Sequence, residues 1–219
     1  MTGELLPWPI IGLSGRARAG KDTVAERLVE AYGFKRFALA DNVRTMAYAV
    51  DPLVFVEQDE RGPLRFSGPQ GQGLGFVSYY TRLSDLVDEV GWERAKAVRD
   101  VRRFLQRLGT EGVRDVIGDN AWIDALQKQI AEDDHLGGVV ITDVRFENEA
   151  DWLTLFGWLW RVDRASNADV VPHSSETALD NYEAFDVRLQ NDGSIEELWE
   201  QVDIEVSNIR ERAFGPVLV

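Results

Sequence analysis

The sequence contains no cysteine among its 219 residues. This absence excludes disulfides, thiolate nucleophiles and thiolate metal sites, and it suits a reducing cytoplasm without requiring one. Basic side chains are also scarce, with 24 Lys and Arg against 38 Asp and Glu and a formal net charge of −14. Because binding along a nucleic acid backbone needs clustered cations, we expect no nucleic acid polymer as a partner, only a small anionic ligand held locally.

Long apolar runs are absent as well. No stretch approaches about 18 uninterrupted apolar residues, and residues 1–9 lack a basic segment followed by a long apolar one. We therefore expect no membrane partner and a cytoplasmic protein. The rest of the composition is that of an ordinary globular protein, 44% hydrophobic and 28% charged, and the length fits a single domain over residues 1–219.

A glycine-rich loop joins the first predicted strand to the first predicted helix. An apolar run at 9–14 leads into it, and apolar residues then recur at helical spacing from Val24. In such a loop the backbone N–H groups and the helix N-terminus converge on a polyphosphate, while a lysine reaches the β- and γ-phosphates. The predicted nucleotide-binding residues are Gly15, Arg16, Arg18, Ala19, Gly20, Lys21, Asp22 and Thr23.

The loop departs from the usual pattern at one position. Asp22 stands where Ser or Thr normally ligates magnesium, and the hydroxyl comes one residue later, at Thr23. Asp143 directly follows a predicted strand at 139–142, where a carboxylate can hold magnesium through water or order the phosphate loop. The loop therefore predicts bound ATP with Mg²⁺, and Thr23 and Asp143 are the candidate metal ligands.

Short apolar runs alternate with helical patterns along the whole chain. This alternation predicts an α/β fold, a doubly wound parallel sheet with helices on both faces. The polar, glycine-rich stretch at 57–75 is expected to be a surface loop. The predicted strands are 9–14, 34–40, 139–142, 158–162 and 185–189, and the predicted helices are 24–32, 42–50, 83–90, 92–108, 122–130 and 195–209.

Cations and polar groups outside the loop suit an acceptor that carries a phosphate. Arg145 can grip that phosphate, and Glu149 follows it in a segment rich in carboxylates. Arg103 is the preferred arginine of the 92–108 pattern. Gln106, Thr110 and Glu111 suit base edges and a sugar hydroxyl, although a helix cap explains the same residues because Gly109 lies among them. These residues are predicted to bind substrate.

Several segments together resemble the deoxynucleoside monophosphate kinases of tailed bacteriophages, and they span nearly the whole chain in order. The shifted hydroxyl at Thr23 fits the Gly-Lys-x-Thr form found in nucleoside monophosphate kinases. The segments are Gly15 to Thr23, Ser84-Asp-Leu-Val with Gly91-Trp92 and Ala95-Lys96, Arg102 to Glu111, Trp122-Ile-Asp-Ala-Leu126, Thr142-Asp-Val-Arg-Phe-Glu-Asn-Glu149, His173-Ser-Ser-Glu176 and Asn191 to Leu198.

The resemblance implies transfer of the ATP γ-phosphoryl group to a deoxynucleoside 5′-monophosphate with magnesium, in a host cytoplasm. It implies a P-loop kinase fold with lid and acceptor-binding insertions, namely an acceptor-binding helical region at 42–130 and a lid segment at 163–180. The residues it implies are Lys21, Arg145 and Arg164 for catalysis, Asn191 and Gly193 for adenine, and Arg44, His173 and Glu176 for substrate. His173 is equally consistent with an ordinary loop histidine, and Arg44 with a solvated surface.

Three alternatives stay open at the level of sequence. The first is another small-molecule P-loop kinase, such as dephospho-coenzyme A kinase, which differs in its acceptor. The second is a P-loop nucleotide-dependent switch or assembly ATPase, and the third is a binding module in which Asp22 disables the use of magnesium. The residue spacing does not encode base preference, discrimination against ribose, or whether the protein forms a homodimer.

Overall fold

The structure is a computed structural model that describes residues 9–57, 78–134, 137–165 and 178–214. The chain divides into two compact units: a core unit of residues 1–40 and 122–219, and an inserted unit of residues 41–121. The predicted acceptor region at 42–130 covers nearly all of the inserted unit and runs on into the core unit. Most of the stretch at 57–75 and of the lid segment at 163–180, with His173 and Glu176, lies outside the described residues.

The helices and strands alternate over most of the chain, as predicted. The strands are β1 (Ile10–Ser14), β2 (Lys35–Phe37), β3 (Leu53–Val56), β4 (Tyr79–Arg82), β5 (Val139–Ile141), β6 (Trp158–Asp163) and β7 (Val187–Gln190). The helices are α1 (Lys21–Tyr32), α2 (Leu39–Val50), α3 (Leu83–Ala95), α4 (Arg99–Arg107), α5 (Ala121–Ala131), α6 (Glu147–Phe156) and α7 (Ile195–Phe214), with a π-helical segment (Leu108–Arg114) after α4. Among the described residues, no helix is long and apolar enough to cross a membrane.

Five strands form one parallel sheet in the core unit, in the order β2-β5-β1-β6-β7. The first strand in sequence is therefore the central one, and the chain crosses over it in both directions. Such an order makes the carboxyl ends of neighbouring strands meet at one edge, where ligands of open α/β sheets bind. The loop that follows β1 lies at that edge.

Both faces of the sheet are covered, which confirms the predicted α/β class. On one face, Ile11 and Leu13 of β1 are fully buried in a cluster that contains α1 and α7 side chains. Gly12 points to the opposite face, where an added Cβ would lie 2.1 Å from Leu153 Cδ1 of α6. Alternation of side chains along β1 thus puts helices on the two faces.

The inserted unit has its own small core, built from α2, an antiparallel β3–β4 pair, α3 and α4. Val54 and Val56 of β3 are buried with Leu86 of α3 and Val101 of α4. This β3–β4 pair was not predicted from the sequence. The helical pattern at 92–108 is also not one helix, because α3 continues through a kink at Gly91 (φ 75°, ψ 161°) to Ala95 and α4 begins only at Arg99.

Two further boundaries in the core unit differ from the prediction. The strand expected at 34–40 ends at Phe37, and α2 already begins at Leu39. The segment from Asp143 to Glu149, which was expected to supply ligand-binding residues, leads into α6, a helix that was not predicted and that begins at Glu147. Both differences arise from carboxylates that cap helices, a tertiary and local effect that apolar periodicity does not report.

Candidate active site

The loop between β1 and α1 needs glycine at both ends. Gly15 has φ 142°, and a Cβ there would lie 2.3 Å from the backbone oxygen of Val162 in β6. Gly20 has φ 108°, and a Cβ there would lie 2.3 Å from Nδ2 of Asn191. Both glycines therefore have a positive φ that disfavours L side chains. Each also lies too close to a neighbouring residue, Val162 or Asn191, to leave room for a Cβ atom.

Arg18 occupies the left-handed region as well, with φ 61°, although it carries a side chain. Successive turns of this kind point several backbone N–H groups into one concavity, which is a common anion-binding arrangement. The N-cap of α1 is Gly20, so no side chain at that position competes for the first-turn N–H groups. The helix end contributes roughly half a positive charge at the same place.

Lys21 folds back along the loop instead of extending into solvent. Its Nζ donates to the carbonyl oxygen of Gly15 at 2.7 Å and to that of Arg16 at 2.9 Å. The ammonium is thus held over the first residues of the loop that the sequence assigned to phosphate binding. Lys21, which is predicted to be catalytic, and the glycine loop therefore lie together.

Two side chains from elsewhere in the core unit support the loop. At its start, Arg16 donates to Asp180 at 2.9 Å. At its end, Asn191 Nδ2 donates to the carbonyl oxygen of Ala19 at 2.8 Å, and the Asn191 backbone N–H donates to Asp163 at 2.8 Å. Asn191 was predicted to bind adenine, and its observed contacts are with the loop. Gly193 is exposed in the same turn, where Ser194 and Glu197 form a capping box for α7.

The structure separates the roles of Asp22 and Thr23. The side chain of Asp22 is 81% exposed, and its carboxylate lies 3.3 Å from the guanidinium of Arg36 in β2. Thr23 is partly buried in the first turn of α1. The exposed carboxylate brings no buried negative charge to the loop, which leaves Thr23 as the hydroxyl of the helix start.

Asp143 caps the N-terminus of α2. Its two carboxylate oxygens accept the backbone N–H groups of Leu39 and Ala40, each at 2.8 Å. Each carboxylate oxygen has more than one acceptor direction, so this capping is compatible with a water-mediated contact to a cation. Within the described ranges, no group of three or more His, Cys, Asp and Glu is arranged to hold a metal by itself.

Glu149 is a capping residue of α6 and not an exposed ligand. It is only 3% exposed, and its Oε2 accepts the backbone N–H groups of Arg145 at 2.8 Å and Phe146 at 3.1 Å. The contacts of the buried carboxylate are with its own helix start, and the substrate contact expected from the sequence stays a prediction. Arg145, at the same helix start, is exposed, as is Arg164 just after β6.

In the inserted unit, the predicted acceptor residues cluster at the end of α4. Arg103, Gln106, Thr110 and Glu111 are all exposed, and Glu111 pairs with Arg107 at 3.0 Å. Thr110 and Glu111 belong to the π-helical segment, a conformation found frequently at functional sites. Arg44 of α2 is engaged by Asp41 at 3.1 Å and lies 3.8 Å from Glu93.

Sequence reasoning missed Asp180, Arg161 and the supporting role of Asn191. Arg161 is a buried cation of β6 that bonds Asp163 and Asp180. Only the Asn191 turn carried a recognisable pattern, and turn chemistry alone explains that pattern. The partners of Asp180 are far away in sequence, so no local signal identifies it.

A family model described as deoxynucleotide monophosphate kinase matches residues 67–202, which is more than half of the chain. The chain belongs to this family. A putative deoxynucleotide monophosphate kinase of Acanthamoeba polyphaga mimivirus is 29% identical over 213 residues, covering 91% of this chain and 96% of that protein. The deoxynucleoside-5′-monophosphate kinase of Escherichia phage T5 is 44% identical over 52 residues, which are 24% of this chain and 20% of that protein.

Solved structures of low sequence identity also resemble this deoxynucleotide monophosphate kinase. TT1252 from Thermus thermophilus has a TM-score of 0.49 at 16% identity, covering 93% of this chain and 99% of that one. Shikimate kinase from Aquifex aeolicus has a TM-score of 0.44 at 11% identity, covering 94% and 99%. The fold described above rests on its own strand order and not on these likenesses.

Membership of the deoxynucleotide monophosphate kinase family makes the protein an enzyme that phosphorylates a deoxynucleoside monophosphate, as the resemblance implied. It also implies ATP and, typically, a divalent metal. The matches give no support to dephospho-coenzyme A kinase or to a nucleotide-dependent switch. The match at 67–202 begins after the glycine loop, so the role of the loop is argued from its own geometry.

Proposed function

We propose that this kinase binds ATP at the loop from Gly15 to Thr23 and transfers the γ-phosphoryl group directly to a deoxynucleoside 5′-monophosphate. The observation that carries the proposal is the ammonium of Lys21, held by the Gly15 and Arg16 carbonyls over a loop with two positive-φ glycines. Such a loop offers phosphates a set of converging backbone N–H groups and the positive charge of a lysine ammonium. Transfer is in line, with no covalent enzyme intermediate.

Catalysis on this proposal comes from position and charge. The loop N–H groups and the α1 N-terminus bind the phosphates, and the Lys21 ammonium, positioned by the Gly15 and Arg16 carbonyls, offsets the negative charge that develops on the transferring group. Removing one donor of this kind typically costs roughly 100- to 1,000-fold in kcat. Asn191 holds the end of the loop in shape through Ala19.

The residues present fit a magnesium ion that arrives with the nucleotide. Magnesium usually keeps several waters and takes one or two protein ligands beside substrate phosphates, so one hydroxyl and one carboxylate are a sufficient donor set. We assign Thr23 as the direct ligand and Asp143 as a contact through water. The bound ion would neutralise phosphate charge, and Asp143 would keep α2 capped at the same time.

We assign a set of arginines and polar groups to the acceptor. Arg145 and Arg103 are exposed cations suited to its phosphate, and the partly buried Arg44, which Asp41 holds in place, is a further cation of this set. Gln106, Thr110 and Glu111 supply an amide, a hydroxyl and a carboxylate for the base and sugar. His173 and Glu176 stay in the proposed acceptor set on the resemblance alone, and Arg164 stays as the lid arginine on the same basis.

We propose that the enzyme acts on small nucleotides in a host cytoplasm, and the phage enzyme among its relatives supports this setting. We propose neither a nucleic acid polymer nor a membrane as partner. The acidic composition, with a formal charge of −14, supports the same view.

A coupled assay of ADP release tests the proposed function. The purified protein is given ATP with dAMP, dGMP, dTMP or dCMP, or with the matching ribonucleotides, each with and without Mg²⁺. We expect Mg²⁺-dependent ADP release with at least one deoxynucleotide and little with the ribonucleotides. Lys21→Met should lower kcat by roughly 100-fold or more, while Lys128→Met, at a 74% exposed side chain of α5, should not. Undiminished transfer in Lys21→Met would exclude the proposed site.

A further inference from the structure

The carboxylate of Asp180 lies between an arginine of the phosphate loop and a buried arginine of β6. Its Oδ2 accepts from Arg16 Nη2 at 2.9 Å, and its Oδ1 accepts from Arg161 Nη2 at 2.7 Å. Asp180 is 164 residues from Arg16 along the chain. The contact therefore exists only in the folded core unit.

Asp180 is a fixed point because its turn is held by buried groups. Leu179 is 2% exposed, and its carbonyl oxygen accepts from Arg161 Nη1 at 2.9 Å. Arg161 also donates to Asp163 at 2.8 Å, so its guanidinium is held from three directions. Burial would raise the pKa of Asp180, but the bonds from Arg161 and Arg16 outweigh it and lower that pKa. The carboxylate is therefore ionised at neutral pH.

Arg16 connects this fixed point to the catalytic lysine. The Arg16 side chain binds Asp180, while the Arg16 carbonyl oxygen accepts from Lys21 Nζ at 2.9 Å. Tethering the guanidinium restricts the backbone of the residue that carries it. A continuous series of contacts thus runs from Arg161 through Asp180 and Arg16 to the ammonium of Lys21.

We propose that Asp180 is a positioning residue for phosphoryl transfer, which fixes Arg16 so that the start of the loop holds the Lys21 ammonium in place. This inference rests on the proposed function, in which Lys21 acts on the transferring phosphates. Without the carboxylate, the Arg16 side chain is released and the carbonyls beneath Lys21 are less restrained. A displacement of about 1 Å can cost roughly 100-fold in rate, and because the rest of the loop stays, we expect a loss of about 10-fold.

A matched control is available in an ion pair of the same type that does not reach the loop. Asp203 of α7 accepts from Arg27 Nε at 2.9 Å and Nη2 at 2.7 Å, and from the Tyr32 hydroxyl at 2.8 Å. Both partners lie in α1, beyond the loop. Asp203→Asn therefore removes a comparable ion pair from the same unit without touching the contacts of Lys21.

The first measurement is a double-mutant cycle on kcat and on kcat/KM for ATP, using Asp180→Asn, Arg16→Met and the double variant. Arg16→Met removes the tether but keeps the carbonyl that supports Lys21. We expect each single variant to lose about 10-fold, mainly in kcat, and the double variant to lose no more than either, because coupled residues are not additive. Asp203→Asn should lower the melting temperature with kcat unchanged.

The second measurement does not depend on activity. An amine-acylating reagent is applied to the folded protein, and labelling of Lys21 is measured by mass spectrometry relative to Lys128, whose side chain is 74% exposed. We expect Asp180→Asn to raise relative labelling of Lys21 several-fold and Asp203→Asn to leave it unchanged. The two carbonyl contacts shield the Lys21 side chain from the reagent, so a side chain released from them is labelled faster.

Independent, multiplicative losses in the double variant, or unchanged labelling of Lys21 in Asp180→Asn, would overturn the proposal. So would an equal loss of kcat in Asp203→Asn, since it would reduce the effect to general stability. If the wild-type protein shows no ATP-dependent transfer and Asp180→Asn still raises Lys21 labelling, the proposed function fails while the positional link stands.

Discussion

Gly20 has both a positive φ and a close neighbour, Asn191, and each of these features disfavours a side chain. Gly33, at the other end of α1, has the positive φ without a close neighbour, so the two effects can be measured separately. Gly33 has φ 69° with nothing within 4 Å of an added Cβ, so Gly33→Ala should cost only the left-handed backbone, about 1–2 kcal/mol. Gly20→Ala adds a contact of 2.3 Å with Asn191. We expect a larger fall in unfolding free energy by urea titration for Gly20→Ala, and a raised KM for ATP only there. Equal effects of the two variants on both quantities would contradict this assignment.

Asp22 illustrates how a departure from a pattern is tolerated at a single residue. Its ion pair with Arg36 joins side chains that are 81% and 57% exposed, and pairs of this kind contribute little to stability. A carboxylate in the first turn of α1 is also favourable to the helix dipole. Asp22 therefore fits its helix without entering the site, which is why the hydroxyl of Thr23 is the candidate ligand.

At the scale of elements, two helices begin at capping carboxylates, and they can be compared directly. Asp143 caps α2 with two bonds, and Glu149 caps α6 with two. Asp143→Asn and Glu149→Gln should each lower the free energy of unfolding by about 1 kcal/mol. Because we assign a water-mediated magnesium contact to Asp143 alone, only Asp143→Asn should raise the Mg²⁺ concentration that gives half-maximal activity. An unchanged requirement for Mg²⁺ would reduce Asp143 to a cap.

The inner strands β5 and β6 were predictable from the sequence because they are buried on both faces. Val139–Ile141 and Trp158–Asp163 are apolar runs bounded by turns, and the predicted runs agree with them within one residue. Lys21 and the two glycines were predictable because the loop is local, with all of its spacing inside nine residues. Periodicity and local spacing are properties that a chain carries before it folds.

The remaining features could not be predicted because they depend on tertiary contacts or on ambiguous local chemistry. The bond from Arg16 to Asp180 joins residues 164 positions apart, and nothing near either one marks the pair. In the sequence, the carboxylates around α6 fit ligand binding and a capping box equally well. The burial of Glu149 within the capping box is a property of the folded protein. β3 was missed because the strand has only four residues and follows almost directly after α2, so its apolar residues were not separated from the helical pattern.

At the scale of the whole molecule, an excess of negative charge is combined with a few carboxylates that are firmly paired. The formal charge is −14, so the carboxylates repel one another overall at neutral pH. Among the described residues, the structure lowers the pKa of Asp51, Asp180 and Asp203. Bonds from Arg27 dominate for Asp203, the backbone N–H of Ser84 dominates for Asp51, and arginine bonds outweigh burial for Asp180.

These paired aspartates set how stability responds to acid. A carboxyl whose folded pKa lies below its unfolded value of about 3.9 stabilises the protein fully above that value and loses this contribution as pH falls through the folded pKa. The difference in unfolding free energy between the wild type and Asp203→Asn should therefore be constant above about pH 5 and should shrink below about pH 4. Urea titrations from pH 7 to pH 3 measure this difference. Ser207→Ala on the same helix is the control, because its difference in unfolding free energy from the wild type should not change with pH. A gap that stays the same down to pH 3 would mean that Asp203 acts through packing and not through its charge.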